Sequence, residues 1–110
     1  VDQWFFYGTA TFTTLAQQMG HFVIRSNIDV PEAKKHYLDT FRDMLGIFDS
    51  HFADNEYFAG EYSVADISCY PDIHLTDGTG IDLAEYANVK RWHDAIAARP
   101  AVQRAWVPVA

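Results

Sequence analysis

The chain has 110 residues, 49% of them apolar, with 3 Trp, 6 Tyr and 8 Phe; that suits one domain with a core and excludes a disordered or low-complexity chain. Eight Lys and Arg stand against fifteen Asp and Glu, a formal charge of −7, so phosphate backbones and anionic lipid repel it, and neither nucleic acid nor membrane is an expected partner. The single cysteine, Cys69, allows no internal disulfide and no cysteine-built zinc site, so a reducing, cytoplasmic compartment is expected. No apolar run reaches the ~18 residues of a membrane span, and no basic stretch followed by an apolar one reads as a signal peptide. The chain opens at Val1 inside an apolar pattern, so a piece of something longer is expected, with 1–110 as one domain.

The opening, from Asp2 to about Ile24, is compatible with a long helix through Trp4, Phe5, Tyr7, Leu15, Met19, Phe22 and Val23. Gly8, Gly20 and the threonines at 9, 11, 13 and 14 are poor helix formers, which predicts a kink or break between Gly8 and Thr14. A strand over Ala10–Leu15 is the alternative, without a visible partner strand. From Pro31 to Ala53 the apolar residues Ala33, Tyr37, Leu38, Phe41, Met44, Leu45, Phe48 and Phe52 form one stripe of a 3.6-residue helix. Pro31 suits its first turn and Glu32 complements its dipole. Gly46, inside the run, is read as a point of close helix approach.

A third helix is predicted from Ser63. The Ser63 hydroxyl would accept from the amide three residues on, and the Asp66 carboxylate would reach back to the Ser63 N–H. Tyr62 and Ile67 are placed for a hydrophobic staple. Pro71 predicts a bend or an early end. Thr76–Gly80 reads as a loop. A fourth helix covers about Asn88 to Ala98, with Val89, Trp92 and Ile96 as its stripe and Asn88 as its cap, stopped at Arg99-Pro100. A last turn or two over Pro100–Trp106 follows. No internal repeat or linker divides the chain.

Two stretches, in order and about 25 residues apart, resemble the C-terminal domain of soluble glutathione transferases. Tyr57-Phe58-Ala59-Gly60-Glu61-Tyr62-Ser63-Val64-Ala65-Asp66-Ile67 is similar to that family's aromatic-Gly-x-x-Ser-x-Ala-Asp hallmark. Val89-Lys90-Arg91-Trp92-His93, with Ala98-Arg99-Pro100-Ala101-Val102, is similar to its closing pattern. The opening Gln3-Trp4-Phe5-Phe6-Tyr7, with Gln17 or Gln18 and His21-Phe22, resembles bacterial nu-class-like members. The resemblance implies an all-α, right-handed helical bundle with Pro31–Ala53 and Ser63–Tyr70 packed on the Trp92 helix and no β-sheet. It implies a thioredoxin-like N-terminal partner domain that holds the co-substrate glutathione and supplies catalysis, a homodimer, and a hydrophobic small molecule as second substrate. No β-α-β pattern for glutathione occurs in this chain, so no catalytic residue and no cofactor of its own is expected, and it is not expected to conjugate glutathione alone. A stand-alone protein–protein interaction module is the rival reading.

The remaining candidates weigh toward structure. Asp66 is read as a cap rather than a buried acid. Five histidines (His21, His36, His51, His74 and His93) contain no pair four apart and no local carboxylate set, so they are read as surface or capping residues rather than metal ligands. Cys69 lies where a helix dipole would lower a thiol pKa, yet its neighbours Ile67, Tyr70 and Ile73 favour a small core residue. Ser26, Ser50, Ser63 and Ser68 lack a nucleophile elbow. Trp4, Phe5, Phe6 and Tyr7 are too apolar for one core-facing stripe, and part of this surface is expected to meet a partner domain, a subunit or a ligand. By the resemblance, Tyr7 and Phe12 are the candidates for a substrate wall, with core or interface as the competing assignment.

Overall fold

The computed structural model describes residues 1–25 and 27–106, excepting the side chains of Leu75 and Asp77; Ser26 lies outside them. Among the described residues six α-helices follow one another: α1 (Asp2–Phe6), α2 (Thr13–Gly20), α3 (Pro31–Phe52), α4 (Val64–His74), α5 (Ala87–Ala97) and α6 (Pro100–Ala105). Short 3-10 turns occupy Leu75–Gly78 and Leu83–Glu85, the first overlapping the Thr76–Gly80 stretch expected to be loop. Among the described residues there is no strand, only an isolated bridge between Ala59 and Glu61. The expected all-α bundle is therefore found.

The opening helix neither breaks nor becomes a strand at its glycine and threonines; it widens. Tyr7–Phe12 is π-helical between α1 and α2, and His21–Arg25 is π-helical again. Thr9 and Thr14 hydroxyls donate to the carbonyls of Phe5 and Ala10, both at 3.0 Å, the back-bonding that bends helices. Close approach belongs to Gly8, not Gly46. A Cβ on Gly8 would sit 2.5 Å from the Cys69 Sγ, whereas one on Gly46 would meet nothing within 4 Å. The glycine of α3 points into open space, so the expectation placed on Gly46 is corrected.

The core is aromatic. Phe12 stacks on Phe41 and meets Phe48 edge-on, and Phe52 stacks on Trp92 at 5.2 Å between centroids. Phe12, Phe41, Leu45, Phe48, Ile73, Val89, Trp92 and Ile96 are fully buried, and helix stability comes chiefly from such packing. α4 runs through Pro71 to His74 instead of ending early. Pro71 deprives only the Ile67 carbonyl of its helical donor, while Asp72 and Ile73 beyond it are buried.

The start of α5 also departs from expectation. Tyr86, not Asn88, occupies the cap position. The donors are taken by a neighbour: Asp49 on α3 accepts from the Asn88 N–H (2.9 Å) and the Val89 N–H (3.1 Å), while the Asn88 amide donates to the Asp49 carbonyl (3.2 Å). A carboxylate at a helix N-terminus answers both the free N–H groups and the dipole.

Candidate functional site

The Tyr57–Asp66 stretch folds as a knot around one carboxylate. Asp66 Oδ1 accepts from the Trp92 Nε1–H (2.8 Å) and the Phe58 N–H (3.1 Å); Oδ2 accepts from the Ser63 N–H at 2.9 Å. The reach back to Ser63 is as expected. The Ser63 hydroxyl, however, accepts from Ala65 N–H at 3.3 Å, one residue earlier than expected. Gly60, at φ 87°, turns the chain so that Phe58 enters the core. His51 Nε2 then donates to the Phe58 carbonyl at 2.8 Å. One buried carboxylate thus ties the turn, the start of α4 and the Trp92 ring of α5.

The first helix presents a second candidate surface. Tyr7 is half-buried, edge-on to Trp4 (5.9 Å) and to Phe48 (6.0 Å). Burial, with Cys69 close by, raises its phenol above the ordinary value. Phe12 is wholly buried between Phe41 and Phe48, so it backs this surface without reaching it. Trp4 lies over His51 at 4.3 Å and Phe58 at 5.2 Å, and Phe6 is 63% exposed. Behind Tyr7, burial pushes the Cys69 thiol up to about 12, overriding the dipole, with the Ser68 hydroxyl opposing and Asp72 and Asp66 adding to the rise. Such a thiol is inert. Asp72 holds the first helix to α4 by accepting from Thr13 Oγ1 at 2.6 Å; its burial raises the carboxyl, opposed by hydrogen bonds from Thr13 and Gln17.

A groove of about 220 Å³ opens between α4, α5 and α6. Its lining includes Ile67, Tyr70 and Pro71 of α4, Ile96 of α5, Val102 of α6 and Trp106 just beyond. Tyr62 and Ile67, expected as a staple, both line it, and the Arg99 guanidinium lies 3.5 Å over the Tyr62 ring. Val64 and Ile67 are each 53% exposed and Trp106 is 47% exposed. The periodicity of α3 could not disclose this groove. Its signal is that α4 is apolar on every face (Val64, Ala65, Ile67, Cys69, Tyr70, Ile73), more than one core can cover. Beside the groove His74 and His93 meet, two residues read singly from the sequence. Among the described residues no three His, Cys, Asp or Glu side chains gather as a metal site, and no helix is long and apolar enough to cross a membrane.

Residues 31–95 match the family model described as the C-terminal domain of glutathione S-transferase. Disulfide-bond oxidoreductase YfcG of Escherichia coli is 31% identical over 104 residues, 94% of this chain and 48% of that protein. Glutathione S-transferase 3 of Schizosaccharomyces pombe is 34% identical over 82 residues, 73% of this chain and 33% of that protein. Among solved structures, the glutathione transferase URE2P6 of Phanerochaete chrysosporium, in complex with oxidized glutathione, shares the fold: TM-score 0.85 and 23% identity, over 94% of this chain and 50% of that one. The chain spans half or less of the length of each of these proteins.

Proposed function

The chain belongs to the glutathione S-transferase C-terminal domain family, and on that premise we propose that it works as the helical half of a glutathione transferase-like protein. Its groove between α4 and α6 receives a thioredoxin-like domain, which brings glutathione and the reacting groups. The observation that carries this reading is the groove itself: a concave, aromatic-lined surface on a helix that is apolar all round, in a chain about half the length of its relative YfcG. Exposed apolar surface of this kind is a partner's footprint. The Trp4–Tyr7 face of the first helix supplies the wall for a hydrophobic second substrate, with Phe12 supporting it from the core. Tyr7 acts there as a neutral ring edge with a phenol donor, since its raised pKa argues against a phenolate. Phe6, exposed on the same helix, is available for contacts in a homodimer. A cytoplasmic location suits the one buried, free thiol.

Hydrogen exchange tests the docking. The chain is joined behind a thioredoxin-like domain taken from a matched relative and compared with the chain alone. Protection is expected at residues 64–71 and 102–106, and Ile67→Glu is expected to abolish it while leaving the bundle folded. Unchanged exchange at the groove in the joined protein contradicts the reading.

A further inference from the structure

His74 ends α4 and His93 sits in the second half of α5. His74 Nδ1 and His93 Nε2 are 3.2 Å apart, with rings within 10° of parallel and centroids 5.4 Å apart, so the imidazoles meet edge to edge. His93 Nδ1 is 3.4 Å from Asp94 Oδ1, and the other Asp94 oxygen accepts from Lys90 Nζ at 2.5 Å. Aromatic rings flank the pair: Tyr70 is 5.0 Å from His93 and 5.7 Å from His74, and Trp106 is 4.7 Å from His74.

We propose that the His74–His93 pair is a proton-operated latch that fixes Trp106, and with it the end of α6, against α4 and α5. The contact between the facing nitrogens holds one proton. With both rings neutral, one N–H fills the contact and the other nitrogen accepts. With one ring charged, the imidazolium donates into the same contact. Only a second charge sets N–H against N–H, turning a hydrogen bond into a repulsion between two cations. Among the described residues, the titratable groups facing the pair are the Tyr70 phenol on α4 and Asp94 on α5, itself paired with Lys90; from beyond α6 comes only the uncharged Trp106 ring. Asp94 Oδ1 lies beside His93, and the Trp106 ring lies against His74. A metal ion is a poorer occupant of the contact, because no third ligating side chain joins the pair among the described residues.

Trp106 lines the groove across from Tyr70, so an open latch removes that wall and weakens docking in acid. That consequence rests on the docking reading; the latch does not. The test is an NMR titration of the histidine rings and the Trp106 indole in the full chain, from about pH 8 to about pH 4, low enough to reach the disfavoured second charge. His74 and His93 are expected to titrate in two separated steps, each ring reporting both, with the Trp106 indole moving at the second step alone. In His74→Gln, and independently in His93→Gln, the remaining ring is expected to titrate once and Trp106 to lose its pH response. Independent single-step curves in the unmodified chain, or a Trp106 response that survives both replacements, overturn the latch. Docking of the thioredoxin-like domain, followed over the same range, separates the two ideas: pH-independent docking with an opening latch overturns only the link between them.

Discussion

At Asp66 a single side chain accepts from two backbone N–H groups and the Trp92 indole. Asp66→Ala leaves all three donors without an acceptor, and each buried, unpaired donor costs about 1–3 kcal/mol. Thermal melting should therefore show Asp66→Ala losing roughly 3 kcal/mol or more, a fall in Tm of at least about 12 °C. Ser63→Ala should cost only ~1 kcal/mol, because it loses one acceptor for the Ala65 N–H while its own N–H stays on Asp66. Equal, small losses from the two changes would contradict the knot. Asp72 offers the opposite sign. Its folded-state pKa is raised by burial, so its favourable contribution is fully present below the ordinary carboxyl value and lost as pH rises through the folded one. Asp72→Asn keeps an acceptor for Thr13 and removes the buried charge; Tm at neutral pH should rise, and its dependence on pH near the carboxyl range should flatten. Asp72 stands between Pro71 and Ile73, and nothing in its spacing points to Thr13, 59 residues away.

The elements differ in how much of them the sequence discloses. α3 is legible because a long apolar stripe repeats over many turns, enough to mark its face and both ends to within a residue. The first helix is half legible: Gly8 and the threonines mark the region that departs from α-geometry, but not that it widens into a π-helix. Within that stretch Gly8 lies against Cys69 of α4, a contact that no local pattern discloses. The cap of α5 was hidden because it comes from Asp49, on another helix. The two glycines make this concrete. Gly46→Ala fills open space in mid-helix and should stabilise by up to about 1 kcal/mol, raising Tm by several degrees. Gly8→Ala drives a Cβ against the Cys69 sulfur, at 2.5 Å, and should destabilise. Chemical denaturation of the two variants checks both signs; the reverse order would contradict the assigned contacts.

For the whole molecule, the fold was legible because its motifs are local, and the candidate sites were less so because they are not. Tyr7 and Phe12 share a stretch of sequence, yet one lies half-buried at the surface and the other wholly inside, a difference decided by where Phe41 and Phe48 fall. The groove draws on three helices and the latch on residues nineteen positions apart. The isolated chain should also be chemically inert at its thiol: pushed up to about 12, Cys69 should resist alkylation at pH 8 until the chain unfolds, and rapid modification of the folded form would contradict its burial. On the proposed function this chain is one half of a two-domain device whose glutathione contacts reside in the other half. Calorimetry with glutathione addresses it directly, on the chain alone and joined to a thioredoxin-like domain. The chain alone should show no binding, and the joined protein should bind; micromolar binding by the monomeric chain alone would contradict the claim.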